Sequence, residues 1–237
     1  MDDTHPLFAA SPYKALVIGA SGAIGQAFVE AFQADPNCTH VEAVSRNAET
    51  GFDLLIPESL SAQATVSTQW APYEIIIDAT GALNIDGVGP EKSLNSLQAD
   101  QLMQAMRINA IGPAMVLRHF APLLTKGACV YAKLSARVGS IEDNKKGGWY
   151  GYRASKAALN MMLQTAAIEL QRKNPTLRVV ALQPGTVRSK LSEPYTNSQV
   201  HLLEPDASVL GMLTALKALP ARTGAHFVDH KGSEIPW

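Results

Sequence analysis

Cysteine is nearly absent. Cys38 and Cys129 are the only two in 237 residues, too few for a disulfide framework and without the spacing of a zinc site. Both lie among apolar neighbours and read as packing thiols, so a reducing cytoplasm is the expected location. The six histidines lack metal-ligand spacing, and no metal is expected. Basic residues are not in excess: 20 against 21 acidic ones give a formal charge of −1, which removes the electrostatic case for a nucleic-acid partner. No apolar run approaches the ~20 residues that cross a bilayer, so no membrane partner is expected. The opening Met1-Asp2-Asp3-Thr4-His5-Pro6 is acidic and poor in apolar residues, unlike a signal peptide. Linkers, internal repeats and low-complexity tracts are missing too, so residues 1–237 read as one domain.

What is present is a compact, apolar-rich chain whose strand and helix patterns alternate. Short apolar runs at Lys14–Gly19, Val41–Val44, Glu74–Asp78, Ala128–Leu134, Arg178–Leu182 and His226–Val228 have the continuous character of strands covered on both faces. Helical periodicity runs from Ala23 to Ala34, over one or two helices in Ser96–Thr125 interrupted near Gly112-Pro113, from Tyr152 to Arg172, and from Ala207 to Leu219. The expected fold is therefore α/β, a single Rossmann-type doubly wound parallel sheet with helices on both faces. One connection does not fit. Too few residues separate the second strand from an apparent third near Phe52-Asp53-Leu54 for a crossover of about a dozen residues, so the link is irregular or strand three lies near Thr65-Val66.

Gly19-Ala20-Ser21-Gly22-Ala23-Ile24-Gly25 joins the first strand to the first helix. Glycines there permit a tight turn and let backbone amides approach a pyrophosphate at the positive end of the helix. The strand–turn–helix setting is what separates a dinucleotide site from an ordinary glycine turn. At the end of the second strand, an acidic residue would pair with a free ribose 2′-hydroxyl. The chain has Ser45-Arg46 instead, a hydroxyl and a guanidinium suited to a 2′-phosphate. NADP(H) is therefore preferred, with NAD(H) as the other candidate.

Tyr152 and Lys156 stand four residues apart at the start of a long helix, so they share a face. A phenol ionises near pH ~10. A nearby cation should favour the phenolate and bring its pKa toward the working range. Tyr150, six residues from Lys156, would face elsewhere.

Taken in chain order, these landmarks resemble the short-chain dehydrogenase/reductase family over nearly the whole sequence. Gly19, Gly22 and Gly25 look like its cofactor turn, with Ser21, Ala23 and Ile24 inside it. Asp53-Leu54 resembles the segment that contacts the adenine. Asp78-Ala79-Thr80-Gly81 is similar to the family's Asn-Asn-Ala-Gly, sharing its alanine and glycine style. Asn109 resembles the structural and proton-relay asparagine, and Tyr152 with Lys156 fits Tyr-x-x-x-Lys. Pro184-Gly185-Thr186-Val187 resembles the segment along the nicotinamide. The family's serine lies about thirteen residues before the tyrosine and three before a glycine, where this chain has Ala136. Ser135 ends the strand expected to deliver this group and is the favoured candidate; Ser140, twelve before Tyr152, is the alternative. Leu-Ser-Ala-Arg-Val-Gly-Ser-Ile and the final Gly-Ser-Glu-Ile-Pro-Trp are similar to one branch, the group of C-factor cell–cell signalling proteins and small bacterial carbonyl reductases.

The resemblance implies reversible hydride transfer between a nicotinamide and a carbonyl. Tyr152 would be the proton donor and Ser135 a hydrogen-bond donor to the same oxygen. Lys156 would hold the ribose and Asn109 would order a proton-supplying water. The stretch Lys190–Glu204 reads as the substrate lid and is mostly apolar, so a small, mostly apolar aldehyde, ketone, quinone or alcohol is the expected partner. The helix after Tyr152 is apolar around more of its circumference than one sheet covers. A homodimer through it and the helix near Pro113–Leu124 is expected; whether dimers pair into tetramers stays open. Two other readings remain: an NADP-binding sensor or signalling protein without turnover, favoured by the altered Asn-Asn-Ala-Gly segment and displaced serine, and an isomerase or dehydratase using the same pair.

Overall fold

The structure is a computed structural model that describes residues 12–46, 51–189 and 202–237. Six strands form one sheet: β1 (Tyr13–Ile18), β2 (Cys38–Val44), β3 (Ile75–Asp78), β4 (Cys129–Leu134), β5 (Leu177–Gln183) and β6 (His226–Asp229). Their spatial order is β2-β1-β3-β4-β5-β6, and every pairing is parallel. The chain winds outward from β1 to β2, crosses back over β1 to β3, and then continues in one direction. That reversal leaves a crevice at the carboxyl ends of β1 and β3, where doubly wound sheets bind ligands.

The strands read as continuous apolar runs because successive side chains serve opposite faces. Leu16 and Ile18 join Ile76, Tyr131, Val179 and Ala181 in one core layer. That layer is completed by Leu60 of α2 (Pro57–Ser67), by Val116, Leu117 and Phe120 of α4 (Gly112–Phe120), and by Leu159 and Leu163 of α5 (Tyr150–Gln171). Ala15 and Val17 join Ile75, Ile77, Val130 and Val180 in the other layer. There Phe28 and Phe32 of α1 (Ala23–Ala34) meet Val209, Met212 and Leu216 of α6 (Pro205–Ala218). Each fully buried phenylalanine or leucine contributes about 1.5–3 kcal/mol relative to exposure.

Neither sequence-based placement of a third strand near Phe52–Leu54 or Thr65-Val66 holds. Residues 51–53 carry no strand pairing, and Thr65 and Val66 lie in α2. α2 provides the crossover from β2 to β3. Pro57 at its first turn and Glu58 beside it are helix-start signals, but β-branched Thr65 and Val66 imitate a strand. The break expected at Gly112-Pro113 lies one turn earlier. α3 (Ala99–Met106) runs into a widened π turn at Arg107–Ile111, and Gly112-Pro113 opens α4. Glycine is needed at 112 because a Cβ would sit 2.6 Å from Leu54 Cγ. Among the described residues, no helix is long and apolar enough to cross a membrane. Twelve of the lid residues expected at Lys190–Glu204 lie outside the described residues.

α1 meets the turn after β1 with no clearance. A Cβ on Gly25 would lie 2.2 Å from the Gly19 carbonyl oxygen, whereas one on Gly22 meets nothing closer than 3.5 Å. Backbone cannot rotate away as a side chain can, so Gly25→Ala should destabilise the fold by about 1–3 kcal/mol. Gly22→Ser supplies a good N-cap and should stay within about 0.5 kcal/mol of the parent. Urea unfolding of the two variants checks this; equal midpoints would show that the crossing is not tight.

Candidate active site

The glycine turn is shaped by two crossings. Gly19 has φ +85°, and a Cβ there would lie 3.0 Å from Ala79 C and Thr80 N. Its amide and that of Ala20 donate to the Val44 carbonyl at 2.8 and 3.1 Å, tying the turn to the end of β2. α1 then starts at Ala23 with Gly22 as N-cap and no side-chain cap. Its first-turn amides are thus left for an external acceptor, at the positive end of the helix dipole. Ser21, Gly22 and Ala23 are exposed around this helix end. Half-buried Ser45 and exposed Arg46 follow β2 directly.

The adjacent segment is more inward-looking than the resemblance implies. Asp53 Oδ1 accepts the Leu55 amide at 2.8 Å, and Ser59 Oγ bridges the Asp53 amide and carbonyl at 2.9 and 2.8 Å. Leu54 packs on the core beside Gly112.

α5 carries Tyr152 and Lys156 to the same edge, and its start is fixed by several groups. Gly147, Gly148 and Trp149 have φ of +63°, +65° and +54°, a run of left-handed residues that two glycines make accessible. Arg153 holds this loop, donating to the Gly148 carbonyl at 2.9 Å, to Gly147 at 3.1 Å and to Val138 at 3.3 Å. The buried Glu91 carboxylate accepts the Gly151 amide at 2.9 Å, and its carbonyl accepts the Trp149 amide. A carboxylate from another segment thus caps α5, as the helix dipole favours.

Lys156 is 3% exposed. Its Nζ donates to the Leu134 carbonyl at 3.1 Å and lies 5.7 Å from the Tyr152 ring centroid. Gly139 lets the Arg137–Gly139 turn press against it, since a Cβ there would meet Lys156 Cβ at 2.8 Å. Burial lowers the Lys156 pKa to about 7, with Lys133 pushing the same way and Asp78 opposing. Burial raises Tyr152 to about 12. The expectation that Lys156 brings the phenol toward neutrality is therefore corrected. Desolvation is what shifts Tyr152, and the direction favours the protonated phenol, the form that can donate.

Behind the pair stands a polar cluster. Asn109, fully buried in the π turn, accepts the Ala82 amide at 2.9 Å and donates to the Ala82 carbonyl at 2.8 Å. That clamp sets Gly81, with φ +137°, where a Cβ would lie 3.1 Å from Asn109 Oδ1 and 3.5 Å from Lys156 Nζ. Asp78 accepts the Thr80 amide at 2.9 Å and the Thr80 hydroxyl at 2.6 Å. It also pairs with Lys133 at 2.9 Å, with both side chains wholly buried. Lys133 was missed in the sequence because it lies in an apolar run. The signal available was two opposite charges, Asp78 and Lys133, each near the end of a buried strand; the register sets them directly opposite.

The two serines are both engaged. Ser135 Oγ lies 2.6 Å from Asn160 Oδ1 and donates to it, with both residues buried, while Asn160 Nδ2 has no partner among the described residues. Ser140 accepts the Asp143 amide at 3.0 Å and donates to the Trp237 carbonyl at 3.4 Å. Of these two, only Ser135 lines the main cleft. This cavity of about 620 Å³ also has Ile24, Ala136, Tyr152 and Pro184-Gly185-Thr186-Val187 on its walls. The last segment is fixed by Ser208, whose hydroxyl donates to the Pro184 carbonyl at 2.6 Å, and by pairing of Val187 with Leu203. Among the described residues, no group of three His, Cys, Asp or Glu side chains could hold a metal.

Residues 13–199 match the family model for short chain dehydrogenase. The chain belongs to the short-chain dehydrogenase family. Within it, the chain is 29% identical over 196 residues to 1-hydroxy-2-glutathionyl-2-methyl-3-butene dehydrogenase of Rhodococcus sp. (strain AD45), covering 82% of each. It is 32% identical over 167 residues to C-signal of Myxococcus xanthus, covering 70% of this chain and 93% of that protein. The NADPH-bound carbonyl reductase from chicken fatty liver has the same fold, with a TM-score of 0.83 at 23% identity, over 96% of this chain and all of that one. Tyr152 and Lys156, which this family's signature places one helical turn apart, meet that spacing here, with Tyr152 on the cleft wall and Lys156 buried behind it.

The cap on α5 gives a direct test. Glu91→Ala removes the acceptor of the Gly151 amide and should cost about 1–3 kcal/mol of stability, the range for stranding a buried donor. Glu91→Gln keeps an acceptor and should recover much of it. Thermal unfolding reads both; an unchanged Glu91→Ala would show that water caps the helix equally well.

Proposed function

We propose that this short-chain dehydrogenase is an NADP(H)-dependent reductase of small carbonyl compounds, with Tyr152 as the proton donor. The observation that carries the reading is Tyr152 on the wall of the cleft that Pro184–Val187 also lines, with buried Lys156 Nζ 5.7 Å from its ring centroid. The residues present fit a dinucleotide. The N-terminus of α1 is uncapped, and Gly19 and Gly25 leave no room for a side chain where backbone must lie close. Amides of the Gly19–Gly25 turn with Ser21 would hold the pyrophosphate. Ser45 and Arg46 would take the 2′-phosphate, and Asp53 with Leu54 would face the adenine side. Ala79, Thr80, Gly81 and the Pro184–Val187 segment would flank the nicotinamide end. When bound, the dinucleotide supplies the hydride. The NADPH held by the chicken carbonyl reductase of the same fold supports this choice; NAD(H) is the weaker candidate because Ser45-Arg46, and not an acid, directly follows β2.

Tyr152 gives its proton to the carbonyl oxygen as the carbon is reduced, so the product is an alcohol and the phenol is left as phenolate. Lys156 offsets that new negative charge, which is far more valuable in a dry site than in water. Ser135 offers a second donor to the same oxygen once the Asn160 amide is turned, so that its orphaned Nδ2 donates to Ser135 Oγ. Asn109 holds Ala82 with both ends of its amide, and the remaining lone pair of Oδ1 is free to order a proton-supplying water. Leu83, Val138, Trp149 and Val187 make much of the cleft wall apolar, in keeping with a modest aldehyde, ketone or quinone. Exposed Met103, Ile111, Met161 and Ile168 on α3, the π turn and α5 support a homodimer, and a cytoplasmic location remains part of the proposal. The Ser135–Asn160 bond favours a second reading, a nucleotide-binding signalling protein without turnover.

Tyr152→Phe should lower carbonyl reduction by about 10²–10⁴-fold, the contribution of a positioned acid, with NADPH affinity nearly unchanged. NADPH absorbance against a carbonyl panel reads the first and fluorescence titration the second. Full activity in the phenylalanine variant would remove Tyr152 as the acid. Failure of the parent to turn over any compound, despite tight binding, would favour the signalling reading. Arg46→Ala should weaken NADPH binding roughly tenfold or more, as expected for a lost charge-assisted hydrogen bond, and barely change NADH binding. An equal loss for both coenzymes would defeat the phosphate assignment.

A further inference from the structure

Lys133 has no part in the reaction just described, yet it is the most deeply buried cation described. Its side chain and that of Asp78 are both 0% exposed. The ammonium's three hydrogens are shared among four acceptors: Asp78 Oδ1 at 2.9 Å, Thr80 Oγ1 at 3.0 Å, the Asp78 carbonyl at 3.3 Å and the Thr80 carbonyl. A buried ion pair of this kind is a poor stabiliser compared with apolar packing, so its place in the core needs another account. Its position supplies one. Lys133 precedes Leu134, whose carbonyl accepts Lys156 Nζ, and Thr80 precedes Gly81, where a Cβ would lie 3.5 Å from that same Nζ.

We propose that Lys133 and Asp78 form a positioning pair for Lys156, fixing the Thr80-Gly81 backbone beside it and setting a second buried ammonium behind the first. The proposal rests on the reading of Lys156 as the residue that serves the cofactor and the phenol. Three charged or titratable side chains bear closely on Lys156: Lys133 from β4, Asp78 from β3 and Tyr152 from its own helix. Among the described residues, the other elements packed around it bring no free charge to it. Arg137 of the neighbouring turn is paired with Asp229 and Asp143. Glu91 is spent on the amide of Gly151. Arg107 at the start of the π turn is exposed, and Arg178 of β5 lies at the far end of its strand. Of the two charges behind Lys156, Lys133 outweighs Asp78.

The sign follows from simple electrostatics. A cation close to Lys156 disfavours its protonated form, so removing Lys133 should let Lys156 keep its proton to higher pH. Protonated Lys156 is the form that favours an anionic dinucleotide, so NADPH affinity should weaken as this proton leaves. The experiment is NADPH affinity against pH for the parent, Lys133→Met, the double variant Asp78→Asn/Lys133→Met, and Lys156→Met. Expected is an upward move of the midpoint by about one pH unit in Lys133→Met and a smaller upward move in the double variant. Lys133→Met strands the Asp78 carboxylate in the core; if it does not fold, the double variant, which removes both charges, carries the test. An unmoved midpoint in the folded variants, with affinity lowered equally at every pH, would overturn the proposal and leave a packing role only. If the parent's midpoint persists in Lys156→Met, the reading of Lys156 itself fails, and that result is distinct from the first.

Discussion

A lysine is held out of water at the carboxyl edge of the sheet beside a half-buried tyrosine, and the site follows from that. Lys156 is buried against the Leu134 carbonyl, and Tyr152 lies one turn earlier on the same helix. Burial favours the neutral form of each, lowering the lysine and raising the phenol. The pair is therefore not a preformed ion pair. It is a neutral-leaning acid beside an amine that titrates near pH 7, ready to respond when negative charge appears. A low local dielectric makes such a response large.

The surrounding structure keeps that edge in register. Gly19, Gly81 and Gly139 stand where a Cβ would strike neighbouring backbone or the Asn109 and Lys156 side chains. Asn109 clamps one side from the π turn, and Glu91 with Arg153 fixes the entry to α5 from the other. The Asn109 and Glu91 contacts join segments far apart in sequence, which is why loops around a rigid sheet can hold a precise site.

Much of this was legible in the sequence, for physical reasons. β1, β3 and β5 announce themselves because strands covered on both faces need apolar residues at every position, and the Ala23–Ala34 helix matches its expected bounds. The pairing of Tyr152 with Lys156 is visible because helical spacing is fixed. α2 was missed because its apolar face is thin: Leu60 and Ala64 carry its core contacts, while Thr65 and Val66 suggest a strand. The Lys133–Asp78 pair could not be read without register, since nothing local says that the two strands adjoin. Nor does spacing reveal that the Ser135 hydroxyl turns to Asn160, because that bond joins the end of β4 to the middle of α5. The direction of the Tyr152 shift failed for a related reason: proximity was legible, and the extent of burial was not.

The central claim is spatial, that the Tyr152 hydroxyl and the Lys156 ammonium meet the reactive end of a bound dinucleotide. A crystal structure of the NADPH complex tests it most directly. The account predicts the nicotinamide between Pro184–Val187 and Tyr152, with Lys156 hydrogen-bonded to the adjoining ribose. A dinucleotide bound elsewhere, or a Tyr152 hydroxyl turned away from the ring into packing, would contradict it.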